Sequence, residues 1–344
     1  MMTPVRSLAV VMVAALPLLY GMPATAQTPP PAKPDAAPAV TPAAAAPTPA
    51  PKPASVPAKR FASAEEAAQA FVAALRTGDV KALIGVLGSE SRSLVASGDA
   101  VSDRQLREKF LQAYDAGSRL IPYGTYTVLE VGTDNWPFPI PIVKDGERWR
   151  FDVRQGREEI IARRIGRNEL YTMQTCLAYV DAQREYYSED RNGAGILEYA
   201  QKFASTPGKR DGLYWDTKSG EPLSPLGALV ARARAEGYRR GESGGPTPLH
   251  GYFYRILTSQ GTAAPDGAYD YVVKGHMIAG FALVAFPAQY GASGVMTFLV
   301  NHDGVVYEKD LGPNTAALAR ALKKFDPDTT WRKADVTEVA AATD

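Results

Sequence analysis

The chain has 344 residues, of which 38 are basic and 37 acidic, giving a formal net charge of +1 at neutral pH. A charge so balanced provides no positive field for nucleic acid or for an anionic membrane surface. A single cysteine, Cys176, excludes a disulfide within the chain, so stability must come from apolar cores, which a hydrophobic content of 45% allows.

The first 26 residues have the pattern of a secretory signal peptide. Arg6 precedes the apolar run 8–20, and Ala24-Thr25-Ala26 fits a small-x-small cleavage site. The run is shorter than the about 20 apolar residues that a membrane-spanning helix needs. We therefore expect cleavage after Ala26 and an exported protein, periplasmic or secreted, with no membrane span after cleavage.

Residues 27–59 predict a disordered tether rich in proline and alanine. Residues 27–58 hold eleven of the 27 prolines and almost no large apolar side chain, so they lack the means to form a core. Two alternatives remain open: a leader without a role, or a semi-rigid polyproline II spacer that holds the domains away from a membrane or cell wall.

Residues 60–156 predict a first folded domain of class α+β. Ser63 followed by Glu66 forms a capping box, and Gly78 ends the helix that begins there. The apolar period then changes from 3.6 to 2, which predicts helices at 82–87 and 102–116, and strands at 126–132, 138–144 and 147–153.

Two stretches of this domain, "AEEAAQAFVAALRTGDVKALIGVL" and "VKDGERWRFDV", resemble the nuclear-transport-factor-2-like (NTF2-like) cone fold. The resemblance implies helices followed by an antiparallel sheet. Because this fold hosts enzymes, ligand binders and structural modules alike, it does not by itself identify an activity.

Residues 157–332 predict a second domain, a long helix followed by an antiparallel sheet, with 333–344 as a C-terminal tail. Cys176 lies on an apolar stripe of the helix 157–188 with Met173, Leu177 and Val180, which predicts a buried thiol. Strands of a simple β-meander are predicted at 251–257, 269–273, 278–286, 294–300 and 305–310, followed by a helix at 316–325.

This helix and sheet resemble the globular head of type IV pilins, through "GYFYRIL" and "FALVAFPAQYGASGVMTFLVNHDGVVYEKD". Pilins begin their helix with an apolar half, whereas this chain has "REEIIARRIGRNEL" there, which argues against entry into a pilus by the usual route. Residues 61–331 also resemble an exported bacterial family, domain of unknown function 2950. The segments "NWPFPIPIV", "AYVDAQREY" and "STPGKRDGLYW" carry that resemblance, which implies no activity.

The three histidines suggest a metal site or a proton-transfer site. In a simple meander, His250, His276 and His302 precede or connect strands at one end of the sheet, with Asp303 beside them. Side chains three strands apart start about 14 Å from each other, so His276, His302 and Asp303 form the better candidate set. The competing interpretation of 301–304 is ordinary turn chemistry, in which Gly304 supplies a positive φ.

Residues 190–201, "DRNGAGILEYAQ", follow part of a calcium-loop pattern. Asp190, Asn192 and Glu198 occupy positions 1, 3 and 9, but Ala194 and Gln201 stand where positions 5 and 12 need oxygen ligands. The loop is predicted to connect two helical segments. Weak calcium binding and a glycine-stabilised loop are the two interpretations.

Residues 205–216, "STPGKRDGLYWD", place Lys209 and Arg210 next to Tyr214 and Trp215, a composition typical of recognition surfaces. The prediction is a contact site for glycan or peptide, and the alternative is a loop folded onto the sheet with Trp215 buried. Residues 135–141, "NWPFPIP", predict an edge strand protected by proline.

We interpret the chain as a non-enzymatic module, without a cofactor, that binds or scaffolds a protein or glycan component of the cell envelope. One alternative is a hydrolase or isomerase that acts in the cone cavity. Cone enzymes usually line it with an Asp–His or Asp–Tyr pair, and residues 60–156 contain no histidine. Another alternative is a pilus or secretion accessory protein.

Overall fold

The structure, a computed structural model, describes residues 55–239 and 246–336. The predicted signal peptide, residues 27–54 of the predicted tether and residues 337–344 of the predicted tail lie outside the described residues. Within those two described ranges, no helix is long and apolar enough to cross a membrane.

The chain starts with helices and continues into an antiparallel sheet, as the α+β prediction requires. The helices are α1 (Ala64–Thr77), α2 (Val80–Leu87), α3 (Arg92–Val95) and α4 (Ala100–Ala116), with a 3-10 turn at Ser89–Ser91. The strands are β1 (Ser118–Tyr123), β2 (Tyr126–Val131), β3 (Trp136–Pro137), β4 (Ile142–Asp145) and β5 (Arg148–Phe151). Their order in the sheet is β1-β2-β4-β5, and β3 also pairs with β2.

The predicted capping box is confirmed. The backbone N–H of Glu66 donates to Ser63 Oγ at 3.1 Å, and the Glu66 carboxylate accepts from the N–H of Ala62 at 2.7 Å. Gly78 ends α1 in the left-handed region with φ +69°. Each of these bonds satisfies a backbone group that a helix end would otherwise leave unpaired.

One strand of this sheet was not predicted, and one predicted strand is corrected. Strand β1 was not predicted, because its sequence "SRLIPY" is exposed at both ends and lacks an alternating apolar pattern. The strand predicted at 138–144 is too long at its start: Pro139 and Pro141 have no N–H to donate, and pairing with β5 begins only at Ile142. Instead, Trp136–Pro137 forms the short strand β3.

Helix α5 (Arg157–Tyr187) is 31 residues long and serves two hydrophobic cores. Near its start, Ile160 and Ile161 pack on the core of α1, α2 and the first sheet. Further along, Met173, Cys176 and Val180 belong to the core of the second sheet. The predicted apolar stripe is thus confirmed, and the same helix forms a wall of both parts.

The second part contains helices α6 (Gly227–Ala235) and α7 (Thr315–Ala321) and a second antiparallel sheet. Its strands are β6 (Tyr252–Leu257), β7 (Ser259–Gln260), β8 (Tyr269–Asp270), β9 (Val272–Val273), β10 (His276–Met277), β11 (Ala282–Pro287), β12 (Met296–Asn301), β13 (Val306–Asp310) and β14 (Arg332–Lys333). The five-stranded sheet has the order β14-β13-β12-β11-β6.

The predicted simple meander is wrong in its strand order. Strand β6 pairs directly with β11, whereas residues 259–277 lie outside this sheet and contain two small pairs, β7 with β8 and β9 with β10. Strand β11 pairs with β12 on one side and with β6 on the other, and every one of its residues is buried. The expected gathering of three histidines at one sheet end depended on the meander and fails with it.

The turn interpretation of residues 301–304 is confirmed in its geometry. Asn301 is buried. Its side-chain NH₂ donates to the Asp303 carboxylate at 3.0 Å, and its side-chain oxygen accepts from the Asp303 N–H at 3.2 Å. The N–H of Gly304 donates to Asn301 O at 2.9 Å, and Gly304 has φ +80°.

We expect Gly304→Ala to destabilise the protein by about 1 to 2 kcal/mol, because a side chain in the left-handed region meets the following carbonyl oxygen. Gly166→Ala is the matched control: it lies inside α5, and nothing stands within 4 Å of its added Cβ. That change should instead stabilise by about 0.5 to 1 kcal/mol. Urea unfolding of both variants measures the two effects, and a Gly304→Ala variant as stable as Gly166→Ala would contradict the turn assignment.

Cys176 has no exposed surface, and burial raises the pKa of its thiol to about 12. Because the thiolate is the reactive form, a thiol reagent at neutral pH should label the native protein orders of magnitude more slowly than the protein in denaturant. Time-resolved labelling followed by intact mass checks this expectation. Labelling of native protein at the denatured rate would show that the stripe faces solvent.

Candidate functional site

A cavity of about 500 Å³ lies between helices α1 to α5 and the first sheet. Its buried lining includes two charged residues, Asp103 and Arg164, and is otherwise apolar: Phe71, Leu75, Leu83, Leu87, Leu94, Val131, Phe138 and Ile140. Protein interiors are packed about as densely as organic crystals, so an apolar space of this size stands out. It lies within the about 300–1,000 Å³ of known small-molecule sites.

The lining as a whole is rich in charged residues, most of which are more exposed than the apolar interior. Trp136 is 37% exposed and packs edge-on against Phe138. The charged residues of the lining are five basic and two acidic: Arg107, Lys109, Arg163, Arg164 and Arg167, and Asp103 and Asp134. The cavity therefore combines an apolar interior with a local excess of positive charge, in a chain whose overall charge is nearly balanced.

Arg164 is the charged residue that lies deepest, with 4% of its surface exposed. Its Nη1 donates to Ser93 O at 2.8 Å and its Nη2 to Leu94 O at 2.5 Å, which ties α5 to α3. Its Nε–H has no acceptor among the described residues. A buried guanidinium donor without an acceptor is costly, because the water that it gave up has not been replaced.

Asp103 lies on α4 beside this guanidinium and is also buried, with 9% exposed. Its Oδ2 accepts from the Ser97 N–H at 2.9 Å. Burial raises the pKa of Asp103 above the usual 3.8, although the Ser97 N–H and the positive charge of Arg164 oppose that rise. Burial likewise lowers the pKa of Arg164, so both groups lack full solvation.

The local sequence explains why these two charges meet. Asp99 caps α4 by accepting from the N–H groups of Val101 at 3.1 Å and Ser102 at 3.0 Å. The cap fixes the start of α4, so Asp103 lies one turn later. On α5, Arg164 follows Ile160 by four residues and precedes Asn168 by four, so it lies on the helix face that turns inward.

Asp103 makes the stability of the protein depend on pH. The pKa of Asp103 is higher in the folded protein than in the unfolded chain. The contribution of Asp103 to the free energy of unfolding is therefore fully present below about pH 3.8 and is lost as the pH rises through the raised pKa. Asp103→Asn cannot ionise and keeps an oxygen for the Ser97 N–H. We expect the variant to gain stability relative to the natural chain as pH rises from about 3 to 7. Urea titrations across that range measure the difference, and a constant difference would contradict the account.

The structure separates the predicted histidine set. His250 lies at the end of the second sheet opposite to His302, stacks on Tyr171 at 4.4 Å, and has Nε2 3.1 Å from Glu236. The Nε2 atom of His302 is 3.9 Å from Asp303 Oδ1 and 3.5 Å from the hydroxyl of Tyr269.

His276 instead meets a residue of the predicted calcium loop: its Nδ1 lies 2.9 Å from Glu198 Oε2, and Asn192 donates to the other oxygen of that carboxylate. The Asp190 carboxylate accepts from the N–H groups of Ala194 and Gly195 at 2.9 and 2.8 Å, which is loop stabilisation. The prediction of a helix after this loop is wrong, because α6 begins only at Gly227. Within 55–239 and 246–336, no three His, Cys, Asp or Glu residues are grouped to hold a metal ion.

The predicted recognition residues line a second cleft, of about 700 Å³. Lys209, Arg210, Tyr214 and Trp215 all belong to its lining. The guanidinium of Arg210 lies 5.4 Å from the centre of the Trp215 ring, and that of Arg234 lies 5.0 Å from the Tyr214 ring. Trp215 is half-buried, so the structure brings the four residues together along one cleft.

Arg164, Asp103 and the basic residues around them were not predicted as site residues. The sequence does contain a signal for Arg164: it interrupts the buried face of a helix at i+4 from Ile160, where an apolar side chain is expected. The cavity itself has no signal in the sequence, because it depends on how helices and sheet fail to fill the space between them.

The chain was compared with known proteins. A family model described as "Protein of unknown function (DUF2950)" matches residues 58–334. Neither the curated proteins nor the solved structures gave a match.

Proposed function

This chain belongs to the DUF2950 family of proteins of unknown function. We propose that it is a binding protein whose cavity holds a small, largely apolar molecule. The observation that carries the proposal is the apolar cavity of about 500 Å³ beside α4 and α5. An empty apolar space costs stability, at about 24 cal/mol per Å³ in mutational series on another protein. A bound molecule would recover that loss.

The lining favours binding over the alternative of a hydrolase or isomerase. Among the described residues that line the cavity there is no histidine, serine, cysteine or tyrosine. Acid–base chemistry there would depend on Asp103, Asp134 and Lys109, and catalysis usually requires a positioned partner for such a group. Eight buried apolar side chains, in contrast, suit a ligand that has to leave water.

We place this binding protein outside the cytoplasm, as the segment 1–26 suggests, with 27–59 as its tether and a component of the cell envelope as its partner. We also assign residues 60–156 to an NTF2-like cone, which the order of four helices and an antiparallel sheet supports. We assign 157–332 to a pilin-head-like domain, supported by one long helix against a five-stranded antiparallel sheet. The charged start of α5 supports a binding role over assembly into a pilus.

The second cleft supports the same class of function for Lys209, Arg210, Tyr214 and Trp215. Aromatic rings beside guanidinium groups in a cleft of about 700 Å³ offer both apolar area and charge-assisted hydrogen bonds. We propose that these residues contact a glycan or peptide of the envelope.

The cavity proposal is tested by filling it. Leu106 and Leu111 both lie half-buried on α4, but only Leu106 lines the cavity. Leu106→Trp should weaken binding of a neutral solvatochromic dye such as Nile red by about tenfold or more, equivalent to at least 1.4 kcal/mol. Leu111→Trp, which adds the same volume outside the cavity, should leave the dye affinity unchanged. Fluorescence titration measures both.

Stability provides the second readout of these variants. Overpacking a filled core typically costs about 1–3 kcal/mol, so Leu111→Trp should destabilise the protein more than Leu106→Trp, which has room. If the natural chain does not bind the dye, or if both tryptophan variants weaken binding equally, the cavity is not the binding site.

A further inference from the structure

We propose that the ligand of this cavity is an amphiphile with one alkyl chain and one acidic head group, whose acid group bonds to Arg164 and whose chain lies among the apolar lining. The inference rests on the proposed function and specifies its ligand class. It is carried by a guanidinium donor left unsatisfied at the wall of an apolar cavity.

The first step is the unmet hydrogen-bonding capacity of Arg164. Its two Nη atoms bond to the carbonyl oxygens of Ser93 and Leu94, which are neutral acceptors. The Nε–H has no acceptor among the described residues, and the side chain is 96% buried. A carboxylate or phosphate oxygen is the acceptor that a guanidinium binds most strongly, because the bond is charge-assisted.

The second step is the excess of positive charge around Arg164. Arg167 lies three residues further along α5, where like charges repel each other across one helical turn. Arg163 already pairs with Glu159 at 2.5 Å. Asp103 lies beside Arg164, but the lining as a whole holds five basic and only two acidic residues, so positive charge remains in excess. An anionic group would relieve this repulsion.

The third step concerns the remainder of the ligand. Apart from Arg164 and Asp103, the buried lining consists of eight apolar side chains, so most hydroxyl or amide groups of a sugar phosphate or nucleotide would lose their hydrogen bonds to water there without replacement. An alkyl chain has no such groups, and its burial is favourable at about 0.8 kcal/mol per CH₂. The wall of the cavity thus offers one strong anion contact, and its interior offers apolar area.

The experiment compares three probes with the same chain: dodecanoate, dodecyl phosphate and dodecanol, each below its micelle concentration. Isothermal titration calorimetry with the natural protein should show at least one of the two acids binding about tenfold to a hundredfold more tightly than dodecanol, as expected for a hydrogen bond to a charged group. The tighter of the two acids identifies the head group as carboxylate or phosphate.

Two variants locate the acid group. Arg164→Met should reduce the affinity for the acid to that for dodecanol and leave dodecanol binding unchanged. Because Arg164 also ties α3 to α5, this variant could unfold, so Arg167→Gln provides a second test. Arg167→Gln should weaken the binding of the acid several-fold and leave the binding of dodecanol unchanged. Arg157→Gln is the matched control: it removes the same charge from the same helix outside the cavity, and it should change neither affinity.

The outcomes separate this inference from the proposed function. If the acids and dodecanol bind equally, or dodecanol binds more tightly, the proposed function stands and the acidic head group is wrong. If none of the three binds, the proposed function fails as well. If Arg167→Gln weakens the binding of the acid and of dodecanol equally, that result would also contradict an acidic head group beside Arg164.

Discussion

The arrangement of the cavity depends on one buried guanidinium. Arg164 joins the long helix α5 to the carbonyl groups of Ser93 and Leu94 around α3, and so fixes one wall of the cavity. A buried charge persists only where the surrounding structure holds it, because its removal from water costs several kcal/mol. Here α5 is held along its length, since one end packs on the first core and the other on the second. The site is therefore built into the element that both parts share.

A second contact connects the opposite wall to the rest of the molecule. Asp99 is buried and caps α4 with one carboxylate oxygen, while the other accepts from the hydroxyl of Tyr238 at 2.9 Å and from the N–H of Gly251 at 2.8 Å. Burial, and then the proximity of Asp99, raise the pKa of the Tyr238 hydroxyl, so it remains a donor. The helix that carries Asp103 is thereby anchored to the start of β6. Both walls of the cavity depend on residues more than 60 positions away in the chain.

The sequence predicted what is decided locally. The capping box at Ser63, the buried face of Cys176 and the left-handed Gly304 each follow from residues within a few positions of one another, and the structure confirms them. Strand order was not predictable in this way, because β6 and β11 pair across a gap of more than 20 residues and the intervening "YDYVV" has the same alternating pattern as a sheet strand. The cavity was missed for a related reason. Its lining is drawn from helices α1 to α5 and the first sheet, and each element alone looks like ordinary core.

The pKa of the ligand's own acid group tests most directly whether that group bonds to Arg164. Dodecanoate labelled with ¹³C at its carboxyl carbon can be titrated by NMR while bound, at a protein excess that leaves no free ligand. If the acid group bonds to Arg164, its pKa should fall below that of an ordinary alkyl carboxyl group, because a neighbouring guanidinium favours the charged form. A raised pKa would place the acid group in the apolar interior, away from Arg164, and would contradict the central claim.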